Sequence, residues 1–154
     1  MAGERITIDN SVLAAVGCAF RVTKSGTQAI DRITETTLTW DTESYDDGAN
    51  FAANTFTAPS TGWYALALGY YFSEALADGN LCYSYFAVGG TKVAQDERHV
   101  SSASAIACTF SLPTVKLTAA DTVIAGVYHN NVNATRLISN STVYTWFQGR
   151  LLSL

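Results

Sequence analysis

An uncharged run over residues 63–72, WYALALGYYF, constrains this chain more than any other stretch. One parity carries Tyr64, Leu66, Leu68, Tyr70 and Phe72, all large; the other carries Trp63, Ala65, Ala67, Gly69 and Tyr71, mostly small. Side chains alternate between the two faces of a strand. The run therefore predicts a central strand with no solvent-facing side, whose small-residue face meets something closely packed. Just before it, Ala58-Pro59-Ser60-Thr61-Gly62 ends an earlier strand. Proline removes a ladder donor there, and glycine supplies free backbone geometry.

The rest of the chain reads as short strands separated by turns. Strands are expected over 19–24, 36–40, 81–88, 101–112, 121–128, 136–138 and 143–152, from β-branched and aromatic content and period-two patterning. Ser25-Gly26, Ala77-Asp78-Gly79-Asn80, Gly89-Gly90 and Asn140-Ser141 mark turns. Pro113 marks an edge or a bend. Residues 41–50, DTESYDDGAN, read as a polar loop, and the charge-dense Asp96-Glu97-Arg98-His99 as a strand edge protected by charge. No convincing long helix is present, so the pattern predicts an all-β, two-sheet sandwich of some ten strands.

A chain of 154 residues with 48% hydrophobic and only 14% charged residues is a single domain able to bury an ample core. Its formal charge of -4 and the lack of a basic stripe argue against nucleic acid as a partner. Cys18, Cys82 and Cys108 are few, odd in number and widely spaced, without metal-ligand spacing; they read as reduced, buried thiols. The start MAGERITIDN has no basic segment followed by an apolar core, and 12–20 is too short to span a bilayer, so cytoplasmic synthesis and no membrane span are expected. The triplets at Asn133-Ala134-Thr135 and Asn140-Ser141-Thr142 matter only in a secretory pathway.

Four pieces in order resemble the complement-1q/tumour-necrosis-factor jelly-roll superfamily, in its complement-1q-like branch. NTFTAPSTGWYALAL at 54–68 is similar to the F-x-A/C-P-x-x-G-x-Y signature; AFRV at 19–22 is similar to the first strand. LTAADTVIAGVY at 117–128 resembles the L-x-x-G-D-x-V run, and WFQGRLL at 146–152 the terminal F-x-G-x-L-L. Ala120 stands where the family usually has glycine, and Arg150 where it usually has an aromatic residue. The resemblance implies a jelly roll over 18–154, Asp121 as the organiser of a turn, and a compact homotrimer. It also raises calcium for Asp46 and Asp47, since some relatives bind calcium in apical loops; a solvated Asp-Gly turn is the competing reading, and no cofactor is expected.

Residues 1–17 lie outside the family pattern and form an N-terminal arm. The arm either packs on its own domain or docks on a neighbouring subunit or scaffold through Arg5, Ile6, Ile8, Val12 and Leu13. Within the sandwich, strands at 63–72, 121–128 and 143–152 are expected to form the inner sheet. Tyr64, Leu66, Leu68, Val123, Val127 and Phe147 then point inward, leaving Ala65, Ala67, Gly69, Tyr71, Ile124, Gly126, Tyr128 and Trp146 as a trimer interface. Arg150 on that face is expected near an open end of the axis or paired with a neighbour's acid.

An enzyme is not expected: there is no G-x-S-x-G, no H-E-x-x-H, no phosphate-cradling loop, and only two histidines, far apart. The leading expectation is a homotrimeric virion protein of a bacteriophage, made in the host cytoplasm. It would be a capsid decoration protein or a fibre tip, whose arm contacts another virion protein and whose loops at 41–50, 77–80 and 129–141 face a host surface protein or glycan. The alternative is a secreted or cell-surface, extracellular recognition module that binds proteins or glycans through its apical loops.

Overall fold

A computed structural model describes residues 18–132 and 135–154. The arm residues Arg5, Ile6, Ile8, Val12 and Leu13, the boundary at residue 17 and the triplet at Asn133 fall outside the described residues. No helix occurs among those described. The strands are β1 (Ala19–Thr23), β2 (Gln28–Asp31), β3 (Thr36–Thr37), β4 (Thr42–Asp46), β5 (Phe51–Ala52), β6 (Thr55–Thr57) and β7 (Gly62–Leu76). They continue with β8 (Leu81–Val88), β9 (Thr91–His99), β10 (Ser104–Leu117), β11 (Thr122–His129), β12 (Thr135–Ile138) and β13 (Trp146–Ser153).

Two antiparallel sheets face each other. Sheet A runs β2-β12-β7-β13-β1-β4, with β10 also on β7; sheet B runs β5-β6-β11-β8-β9, with β3 also on β11. The uncharged run is the middle of β7, held by β13 on one edge and β10 on the other. As expected from parity, Tyr64, Leu66, Leu68, Tyr70, Phe72, Val123, Val127 and Phe147 are all buried. They meet in an aromatic core in which Phe20 packs on Phe51, Phe56 and Phe147, and Phe86 bridges Phe110 and Phe147. Gly149 is glycine because of this core: a Cβ there would lie 2.6 Å from the Phe20 ring and 2.8 Å from Leu66.

Several expectations are corrected. β11 belongs to sheet B, paired with β8, β6 and β3, and not beside β7 and β13. Both β7 and β11 have two apolar parities, and parity alone does not say which sheet a central strand joins. Half of the polar stretch 41–50 is strand β4, an edge strand exposed on both sides and so without apolar alternation. The strand expected over 36–40 shortens to β3, and β2 was not foreseen. β10 continues through Pro113 with a register shift between Leu112 and Val115, which accommodates the missing donor. The charge-dense segment does lie on an edge strand, β9, where Arg98 pairs with Asp96 and the His99 ring lies 3.5 Å from Glu97.

Asp121 organises its turn: its Oδ2 accepts the Thr118 N–H at 2.8 Å. Ala120 beside it has φ of 73°, the left-handed region that costs a residue with a Cβ. The familial glycine at this position thus has a backbone reason, and this chain does without it.

Candidate functional site

The outward parity of sheet A forms one continuous surface. The ladders place Ala19 opposite Arg150, Arg21 opposite Gln148 and Thr23 opposite Trp146 across β1 and β13. Arg150, Gln148 and Trp146 in turn lie opposite Ala65, Ala67 and Gly69 of β7. On the far side, Ser111 pairs with Ala67 and Ala107 with Tyr71. The small residues leave a depression of about 580 Å³, lined among others by Ala19, Tyr45, Ala65, Ala67, Pro113 and Arg150. Tyr45 and Trp63 on this sheet, with Tyr144 beside Tyr71, stay 45%, 44% and 52% exposed, so large aromatics border a floor of small residues.

Within this surface Gly69 is a seat for Trp146. A Cβ on Gly69 would come within 2.6 Å of the indole, which lies flat enough for the Arg21 guanidinium to sit 4.8 Å above its ring. Arg21 is held by a hydrogen bond to Gln148 Oε1 at 2.7 Å. Arg150 is exposed, lines the depression and pairs with no carboxylate among the described residues.

The other three residues foreseen for this surface lie elsewhere. Ile124, Gly126 and Tyr128 lie on the outward parity of sheet B, where the chain itself covers Gly126 and Tyr128. Tyr128 stacks on Tyr83 with ring centroids 4.5 Å apart and 10° between planes. Tyr85 lies over Gly126 so closely that a Cβ would be 2.3 Å from its ring. Lys92 sits over both Tyr83 and Tyr85, at 4.9 and 5.1 Å, and pairs with Glu35, which also accepts the Tyr83 hydroxyl at 2.5 Å. Hydrogen bonds from Lys92 and then Tyr83 hold the Glu35 carboxyl below its ordinary range, and burial, followed by the hydrogen bond to Glu35 and then its charge, pushes the Tyr83 phenol up. Glu35, Lys92 and the Tyr83 hydroxyl thus find their partners within their own chain.

The two ends of the sandwich also separate what the sequence grouped together. The 46–50 turn lies with Ala19 and Thr57, whereas 77–81 meets Val100, Asn130 and Asn131 at the opposite end of β7. The 46–50 turn therefore does not share a surface with 77–80 and 129–131, which lie together. Asp46 spends both carboxylate oxygens on backbone donors, Oδ1 on Asn50 at 3.0 Å and Oδ2 on Phe51 at 2.9 Å. No group of three metal-ligating side chains occurs among the described residues. Nearby, burial and then the charges of Asp46 and Asp47 push the Cys18 thiol up to about 11, and Cys82 and Cys108 are buried as free thiols too.

No family model and no curated protein matches the sequence. Solved structures do. The chain superposes on murine APRIL at pH 5.0 with a TM-score of 0.64 and 15% identity, over 87% of this chain and 98% of that one. The globular domain of zebrafish complement 1qA gives 0.63 and 16%, covering 88% and 97%. Eiger TNF from S. frugiperda gives 0.62 and 10%, covering 88% and 92%. The fold is a complement-1q/TNF-like jelly roll. At these identities the likeness concerns the fold, and the sandwich carries the four sequence pieces in their expected order: AFRV in β1, the Pro-Gly turn into β7, the Asp121 turn into β11, and WFQGRLL in β13.

Sequence reading missed the contributions of Ala19, Arg21, Tyr45, Ser111, Pro113 and Gln148 to the sheet A surface. The parity of AFRV carried a signal for the first two. Tyr45 had none, because its edge strand has no periodicity to read.

Proposed function

We propose that the protein is a non-enzymatic binding or structural module that works as a homotrimer, with the outer face of sheet A buried between copies. The observation that supports this is the contrast within that face. Small residues form a depression of about 580 Å³, and large aromatics stand exposed beside it. Exposed apolar surface of this kind marks an interface. A neighbouring copy presenting Trp63, Tyr45 or Tyr144 would fill the floor made by Ala65 and Ala67, and a closed ring leaves no copy with an open face. Native mass spectrometry tests this reading: a species of three chains supports it, and a single-chain species across micromolar concentrations defeats it.

The finer reading that we favour is a role on a bacteriophage particle, as a decoration protein or fibre tip whose residues 1–17 contact another virion protein. Three buried free thiols support assembly in a reducing compartment. Deleting residues 1–17 is expected to abolish particle binding while leaving the trimer intact; undiminished binding would remove the arm from the account. A secreted or cell-surface recognition role is the second reading, favoured by the kinds of proteins that share the fold, APRIL, Eiger TNF and complement 1qA. It locates the module outside the cell and its ligands among proteins or glycans.

A further inference from the structure

The end of the sandwich away from the 46–50 turn is tied together by three consecutive residues, His129, Asn130 and Asn131. Asn130 Oδ1 accepts the Leu81 N–H at 2.7 Å, and Asn131 Oδ1 accepts the Ala77 N–H at 2.9 Å. The His129 main-chain oxygen accepts the Ile33 N–H at 2.8 Å. One tripeptide thereby holds both the 77–81 turn and the segment that follows β2. At its centre is the His129 ring, fully buried and edge-on to Phe72 with centroids 5.6 Å apart.

The ring's two nitrogens have fixed roles. Nδ1 lies 3.2 Å from the Asn131 backbone nitrogen, which can only donate, so Nδ1 carries a lone pair. The proton is therefore on Nε2, which donates to the Ile30 carbonyl at 2.9 Å. The neutral imidazole thus accepts from the loop on one side and donates to β2 on the other. A second proton has only Nδ1 to occupy. It would set two N–H groups against each other and leave Asn131 without its acceptor.

We propose that His129 is an acid-sensitive latch, whose protonation at Nδ1 expels Asn131 and releases the 77–81 turn while the sandwich stays folded. The ionisable groups around the ring are Arg136 of β12, Asp31 of β2, Arg32 just after it, and the Cys82 thiol, register partner of His129 on β8. Two cations against one carboxylate offer an imidazolium little compensation. Burial first, with Arg136 and Arg32 acting in the same sense against the Ile30 carbonyl and Asp31, holds the imidazole below its ordinary value. In the released state the ring titrates near ~6.5. The latch thus contributes its full stability above that pH and loses it as pH falls toward the folded-state value. It lies within one chain and operates whether or not copies assemble.

The experiment is backbone hydrogen exchange, corrected for intrinsic rates, on the full chain between pH 7 and pH 5. Protection at Asn131, Ala77 and Leu81 is expected to fall more than about tenfold, as a released imidazole titrating near ~6.5 takes up its proton while the latched ring stays neutral. Leu66 and Leu68 in β7 are expected to keep theirs. His99→Gln, which alters the other, exposed histidine, should behave like the wild type, and His129→Gln should lose the pH dependence. Constant protection at the three amides, a parallel loss at Leu66 and Leu68, or an unchanged response in His129→Gln each overturns the proposal. If His129→Gln does not fold, the wild-type imidazole resonances decide: their titration midpoint must coincide with the loss of Asn131 protection, and a separate midpoint refutes the latch.

Discussion

The outer faces of the two sheets use similar residues to opposite ends. On sheet B, Tyr83, Tyr85 and Tyr128 stack on one another or on glycine, with Lys92 above two of the rings and Glu35 accepting from both Lys92 and Tyr83. On sheet A, Ala65, Ala67 and Gly69 make a floor on which Trp146 covers Gly69, and among the described residues Arg150 stands without an acid. An outward apolar residue is thus not by itself an interface residue. What matters is whether its own chain supplies the cover, and among the described residues one face is closed from within and the other is left open.

The largest effect expected to separate the faces is on assembly. Ala67→Glu places a charge in the sheet A depression and should reduce the particle mass from three chains to one, read by light scattering. Thr122→Glu, at an exposed position on the outward parity of β11, should leave the mass unchanged. A reversal of these outcomes would exchange the roles of the two sheets.

Next is the self-covering of sheet B. Gly126→Ala drives a Cβ into the Tyr85 ring and is expected to cost about 1–3 kcal/mol in denaturant unfolding, as overpacking does, without changing the mass of the assembly. A stability loss below the resolution of the measurement would mean that Tyr85 is a mobile lid rather than a fixed cover. Between the faces, in the turn joining β10 to β11, Ala120→Gly relieves a left-handed backbone and should add about 1 kcal/mol equally to any state of assembly.

The smallest effect belongs to Glu35. Its side chain is 42% exposed, so Glu35→Gln should cost less than about 1 kcal/mol. Because Lys92 and Tyr83 depress its folded-state pKa, its contribution is present above the ordinary carboxylate range and disappears as pH falls through the folded value. Unfolding curves of wild type and variant should therefore converge in acid. A difference that persists there would show that the amide disturbs packing instead.

The sequence made some of this legible for identifiable reasons. β7 could be read because its two parities differ in size, and the interior positions followed directly. The turn at Asp121 was legible from its motif, and the sandwich confirms the backbone role assigned to it. β11 was placed on the wrong sheet because Val123, Ala125 and Val127 against Ile124, Gly126 and Tyr128 look the same whichever neighbours they have; only the pairing with β8 decides. β4 was hidden because an edge strand exposed on both sides has no hydrophobic period. Glu35 reaches Tyr83 and Lys92 across distant parts of the chain, and no local pattern announces such a meeting. The latch residues His129, Asn130 and Asn131 read as an ordinary polar loop, since their roles come from partners at Ile30, Ala77 and Leu81.

The most direct test of the difference between the faces is hydroxyl-radical labelling of the wild-type protein over a dilution series, comparing side chains on each sheet. Trp146, Trp63 and Tyr71 should be shielded at micromolar concentration and become reactive on dilution, while Tyr83 and Tyr128 react equally throughout. If Trp146 and Trp63 are as reactive in concentrated as in dilute solution, sheet A is not covered by other copies and the proposed assembly is wrong.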